Sequence, residues 1–497
     1  MNTYRPPRLG WSLVMLAMAQ LIFALDVYIV YVALPDIGAE LGFSSQTLQW
    51  VVGAYAVFAG GFLLLGGRAA DLLGRRRIFV TALALYAVSS LAGGLARSPE
   101  VIIAARAVQG IGAAFLFPST LSLINTLFEE GPRRNKALAA WSGAGASGLT
   151  LGSLLGGILT QTFGWSAVFF VNVPLAGIVA LAALFVIPRD RPQAARRRFD
   201  LPGAVTVTGG ATLLVYALVQ GPELGWTSAS VLAAMPLAVA LLAMFALVEL
   251  RGADPLMPPR LLRNRSLVAV MAITFIFMGT LGGLPYFLTV LFQDVHGFTT
   301  LETGLAFLVP AVAIATGTQV GERVTTRLES RTTLLIGIGI SVVGTALIAL
   351  GYDDSSRYLP IVPGLIVMGV GQGITWTSMW IAAGSGVAPH EQGVASGMAS
   401  TTLNVGNAVG LGILIAIANA GTRGLTGGAL RAEVAAGGRT AVLLGALGLP
   451  IAAGAAFALP RSCSHAGALY QSRAGVDGHF AVTQRGPCYE EHSEAER

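Results

Sequence analysis

The chain has 497 residues, 54% of them hydrophobic and 11% charged, with a net charge of +6 and a mean hydropathy of +0.70. Soluble proteins carry about 25% charged residues, so this composition excludes a water-soluble globule and points to a bilayer as solvent. The basic residues stand in short clusters between apolar runs, which excludes a nucleic-acid-binding face, and the only cysteines, Cys463 and Cys488, exclude a disulfide framework in the apolar body.

A membrane span takes about 20 mostly apolar residues. Fourteen stretches fit: 11–34, 48–67, 78–96, 101–125, 138–160, 166–187, 201–220, 229–250, 266–291, 303–322, 333–350, 359–382, 394–419 and 439–459. The first is long enough to cross the bilayer, and no cleavable signal precedes it. An even number of spans puts both termini on one side. With that side inside, the inner segments gather nearly all the arginines, leaving Arg97, Arg357, Arg423, Arg431 and Arg439 outside and Arg106 within a span. The positive-inside rule then predicts a multi-pass protein of the cell membrane with both termini cytoplasmic.

Two basic segments, 188–203 and 251–265, divide the chain. The division predicts a six-helix bundle over 1–190, an inserted two-helix region over 191–265, a second six-helix bundle over 266–460 and a disordered cytoplasmic tail over 461–497. No clear copy of the first half's motifs is visible in the second.

Lys136 is the only lysine and no Gly-Lys pair exists, so no Walker A loop can form. His-Glu and paired-Cys metal spacings are missing as well. The sequence thus predicts no enzyme and no cofactor.

The first span holds "LDVYIVYVALP" (25–35), a carboxylate, Asp26, in an apolar run. A buried acid disfavours its charged form and so can take up and release a proton. The inner loop "GGRAADLLGRRRIFV" (66–80) carries Gly67, Asp71, Gly74, Arg75, Arg76 and Arg77. It reads equally as a plain cytoplasmic turn with topology-setting arginines or as a built contact. In the fourth span, "RAVQGIGAA" (106–114) contains Arg106 and Gln109. An arginine there costs about 2.5–3.5 kcal/mol on insertion scales, so it either faces protein and water or snorkels to the outer surface. Asp26 lies roughly 12 Å and Arg106 roughly 8 Å below that surface at 1.5 Å per residue, which permits a pair. The fifth span has Gly148, Gly152 and Gly156 at four-residue spacing, followed by Gly157. This is a face for close helix packing.

These motifs resemble those of the major facilitator superfamily. The loop is similar to its G-x-L-A-D-R-x-G-R-R-R signature, with Ala69 and Leu72 departing from it, and "RAVQGIGAA" to its fourth-helix motif. "GLTLGSLLGG" (148–157) is similar to the antiporter motif G-x-x-x-G-P-x-x-G-G, with Ser153 in place of proline. "LDVYIVYVALP" resembles L-D-x-T-I-V-N-V-A-L-P of the fourteen-span drug:proton antiporters, with Tyr28 and Tyr31 replacing Thr and Asn. "GWSAVFFVNVP" (164–174) resembles that branch's W-R-W-x-F-x-x-N-x-P and keeps Trp165, Phe169, Asn172 and Pro174.

The resemblance implies an all-α fold of two six-helix bundles plus two extra central helices, working as a monomer with a small-molecule substrate and protons, and driven by the proton gradient. It implies proton coupling by Asp26 and Arg106, a conformational latch in the loop, and a central cavity. Family position puts Tyr28, Tyr31, Gln109, Tyr286, Gln372, Trp376 and Met379 among the candidate substrate contacts. The expected function is proton-coupled export of amphipathic small molecules such as antibiotics. A same-fold carrier of a nutrient or metabolite, or a non-transporting sensor, is the alternative.

Overall fold

The computed structural model describes residues 9–43, 45–48, 50–190, 200–251, 257–354, 357–422 and 425–459. The expected tail, 461–497, lies outside the described residues. Among those residues there is no strand, and thirteen helices are long and apolar enough to cross a membrane. The helix Pro132–Phe163 stands where the fifth span is expected and completes fourteen.

Several helices outrun their apolar windows. The first extends over Leu9–Leu41, past Pro35. The last begins at Gly427, a dozen residues before its apolar window, because helix geometry does not stop at the edge of the hydrocarbon. The ninth span is broken rather than continuous. Arg265–Leu281 ends at Gly282, Leu284–Val290 resumes with a proline in its first turn, and Leu291–Val295 winds as a π-helix.

The packing shows an internal repeat that the sequence hides. In the first bundle the first span packs on the fifth, the second and third on the fourth, and the third on the sixth. In the second bundle the ninth packs on the thirteenth, the tenth and eleventh on the twelfth, and the eleventh on the fourteenth. The bundles meet where the second span crosses the thirteenth and the fifth crosses the tenth. The inserted pair, Leu201–Leu224 and Ala229–Arg251, leans through its first helix on the second and thirteenth spans. It therefore flanks the junction of the bundles.

Candidate functional site

Five helices of the first bundle converge on one carboxylate. Asp26 is fully buried in the first span, and Arg106 of the fourth is 1% exposed. One guanidinium nitrogen of Arg106 donates to Asp26 Oδ2 at 2.6 Å and to Gln109 Oε1 at 2.7 Å. Its Nε donates to the Val51 carbonyl of the second span at 2.9 Å, and its plane lies 4.3 Å from the centre of the Tyr55 ring. Asp26 Oδ1 accepts from Gln109 Nε2 at 2.8 Å and from Asn172 Nδ2 of the sixth span at 2.7 Å. Gln109 also donates to Ser90 of the third span at 2.8 Å.

Burying two charges costs several kcal/mol per ion unless geometry and further hydrogen bonds compensate. Here the three groups bonded to Asp26 all donate, so the arrangement satisfies the carboxylate form. Arg106 points inward to this network, and the snorkelling alternative does not hold.

The glycine face of the fifth span builds the wall behind Asp26. A Cβ on Gly148 would stand 2.6 Å from Ala24 Cβ, one on Gly152 2.6 Å from the Leu25 carbonyl, and one on Gly156 3.0 Å from the Ile29 carbonyl. The three glycines thus let two helix backbones touch along the turns that bracket Asp26. Gly157 takes no part, because nothing lies within 4 Å of its Cβ position.

The loop motif joins the bundles. Asp71, at the end of the second span, accepts from the backbone amides of Gly393 at 3.1 Å and Val394 at 2.9 Å. These amides open the thirteenth span, Gln392–Ala418, where unpaired N–H groups and the helix dipole favour an anion. Arg75 pairs with Asp71 at 2.9 Å and donates to the Pro389 carbonyl. Gly67 sits against the Gly393 backbone.

The other two arginines serve a different contact. Asp190 accepts from the amides of Arg76 and Arg77, both at 3.0 Å, and Arg76 donates to the Leu184 carbonyl. Gly74 has φ 103°, and a side chain there would collide with Asp190. Further bonds at this end of the bundles run from Asn125 to Gln392 at 3.0 Å and from Asn135 to Thr326 at 3.2 Å. Arg260, in the segment after the inserted pair, grips Glu391 with two nitrogens at 2.6 and 3.1 Å.

Beyond these contacts an aromatic cluster spans the bundles. Phe117 and Trp141 of the first lie 5.6 and 6.0 Å from Trp380 of the twelfth span, with Phe23 and Trp376 at its margins. Gln372, Trp376 and Trp380 recur every four residues on one helix face, and Trp380 meets the opposite bundle, so this face looks across the centre. Gln372 and Trp376 are half-buried. Met379 is fully buried within the packed core and does not border open space in this conformation.

Toward the other end Tyr31 is 51% and Tyr286 42% exposed. Tyr28 is half-buried beside Gly152. The bundles are thus joined through the loop motif and the aromatic cluster at one end, and two tyrosines stand exposed toward the other.

Sequence reasoning quotes Asn172 within a motif without giving it a role, and it leaves Asp190, Glu391, Gln392, Trp141 and Trp380 unmarked. Their partners lie far away along the chain, and only Asn172, a polar residue inside an apolar span, carries a local signal.

The sequence model described as Major Facilitator Superfamily matches residues 16–411. The chain is 38% identical over 423 residues to the puromycin resistance protein pur8 of Streptomyces alboniger, covering 84% of this chain and 83% of that protein. It is 39% identical over 421 residues to the cephamycin export protein CmcT of Amycolatopsis lactamdurans, covering 83% and 86%. The human organic anion transporter MFSD10 superposes with a TM-score of 0.65 at 16% identity, over 90% of this chain and all of that one, a likeness of fold alone.

Proposed function

The chain belongs to the Major Facilitator Superfamily, and from that premise we propose that it exports amphipathic small molecules of the antibiotic class in exchange for protons. The observation that carries the reading is the buried Asp26, held by Arg106, Gln109 and Asn172 inside the first bundle. Relatives that share over 80% of the chain's length are an antibiotic resistance protein and an antibiotic exporter.

In this reading the latch end is cytoplasmic, in keeping with the arginines clustered there, and the conformation faces outward. A proton entering from outside protonates Asp26 and frees Arg106 from its counter-ion. The bundles rock about the second–thirteenth and fifth–tenth span contacts, the latch opens, and the proton leaves inside as substrate binds. Each charge moved inward releases about 2.3 kcal/mol per 100 mV, before any pH gradient is added.

The test is a susceptibility panel in an efflux-deficient host, comparing wild type with Asp26→Asn. Expected is tolerance of at least one antibiotic raised by wild type and lost in the variant at equal membrane abundance. Full retention of proton-coupled export by Asp26→Asn would overturn the assignment.

A further inference from the structure

The charge inventory of the spans narrows what such an exporter carries. Between the ends of the apolar windows the sequence has two charged side chains, Asp26 and Arg106; Glu249, Glu322 and Arg439 stand at the window ends, and the buried Arg68 and Asp71 lie beyond the second window, at the loop contact between the bundles. Asp26 and Arg106 are bonded to each other at 2.6 Å and are almost wholly buried. The groups that the export reading places at the cavity, Tyr28, Tyr31, Tyr286, Gln372 and Trp376, are half-buried or exposed and are rings, phenols and an amide.

Resting on the export reading above, we propose that the substrate is an uncharged amphipath, recognised by ring contacts and hydrogen bonds, and that each cycle moves one positive charge inward. The site has two charge states. With Asp26 ionised the pair sums to zero, and with Asp26 protonated Arg106 leaves it at plus one. It is never negative.

A permanent cation would have to lie in a low-dielectric site without a counter-ion, or displace Arg106 from a carboxylate both of whose oxygens are already held, one by Arg106 and the other by Gln109 and Asn172. An anion fails for the opposite reason. Protonation frees Arg106 and would tighten its hold, so anion and proton would travel together, which is the wrong sign for exchange. An uncharged molecule avoids both conflicts. It meets a neutral pair on loading, and on release it faces a freed guanidinium that now draws water and the local acceptors to itself.

The experiment uses the full chain in an efflux-deficient host. Uncharged probes are chloramphenicol, florfenicol and linezolid; permanently cationic probes are ethidium and tetraphenylphosphonium. Expected is at least a fourfold gain in tolerance to an uncharged probe and less than a twofold change for both cations. A fourfold gain for a cation that disappears in Asp26→Asn overturns the inference while leaving export intact. No gain for any probe, with the protein present in the membrane, overturns the export reading itself.

Gln372→Asp places a carboxylate on the face that looks across the centre and is expected to add ethidium export of fourfold or more. An absent gain, with the variant present in the membrane at the wild-type level, overturns the charge argument. In proteoliposomes without a pH gradient, an imposed membrane potential is expected to drive uphill movement of the exported uncharged probe. Absence of uphill movement overturns the one-charge cycle.

Discussion

Asn172 donates to Asp26 across 146 residues of sequence, at 2.7 Å and fully buried. It stands on the same carboxylate oxygen as Gln109, opposite the oxygen held by Arg106. The carboxylate is thus fixed from the fourth and sixth spans at once. A hydrogen bond to a charged group contributes about 1.5–3 kcal/mol, so Asn172→Leu is expected to lower proton-coupled efflux at least fivefold at unchanged membrane abundance. Dye efflux from energised cells reads this directly. Unchanged efflux would show that Arg106 and Gln109 hold Asp26 without help.

The sequence made Asp26 and Arg106 visible because a charge in an apolar run is costly and so conspicuous. The spans were visible for the complementary reason, since a bilayer demands long apolar helices. Their ends are less so: the last helix runs on past the hydrocarbon to Gly427, and the break at Gly282–Gly283 follows from packing on the thirteenth span, which composition does not report. The repeat of packing between bundles escaped because helix contacts are set by shape, and many side-chain sets fill the same shape. Asp190 escaped because its role depends on amides more than a hundred residues away.

The latch makes a prediction about populations. Asp71 uses each carboxylate oxygen to accept one amide of the thirteenth span. An asparagine can accept only one and sets an N–H against the other. Losing about 1.5–3 kcal/mol from the closed latch end shifts the balance of conformations by roughly 10–100-fold. A cysteine at Ala395, buried beside the latch, in a background without Cys463 and Cys488, is expected to react with a thiol reagent at least tenfold faster in Asp71→Asn. Equal rates would mean that the other contacts at this end, Asn125–Gln392, Asn135–Thr326 and the aromatic cluster, hold the bundles together without Asp71.

The corresponding turn in the second bundle carries strain. Glu329 precedes the eleventh span with φ 73° and ψ 159°, a region that only glycine enters freely, at a cost of about 1–3 kcal/mol. In the first bundle Gly74 holds the matching place before the third span, with φ 103° and ψ 131°. Glu329→Gly is therefore expected to stabilise the protein by about 1 kcal/mol once glycine's added chain entropy is subtracted. Gly74→Ala should destabilise it, because its Cβ is strained and meets Asp190. Thermal unfolding in detergent, followed for both variants beside wild type, checks the opposite signs. A stability loss in Glu329→Gly would show that the glutamate's own contacts outweigh the backbone cost.

The fifth span offers a comparison with an internal control. A side chain on Gly152 would press on the Leu25 carbonyl at 2.6 Å and on Tyr28 Cβ at 3.1 Å, in the turns that bracket Asp26. Backbone cannot yield as a flexible side-chain tip can, so Gly152→Val must push the first span away from the fifth. Overpacking of this kind costs about 1–3 kcal/mol, and here the displacement falls on the helix that carries the carboxylate. Efflux is expected to fall at least tenfold, with a lowered unfolding temperature. Gly157 lies one residue past the same face with nothing within 4 Å of its Cβ position. Gly157→Ala is expected to leave efflux within twofold of wild type and, because alanine favours the helix by about 1 kcal/mol over glycine, to raise the unfolding temperature slightly. If both substitutions abolish efflux equally, the motif acts through helix flexibility. If only Gly152→Val does, it acts through the approach of two backbones around Asp26, as the geometry requires.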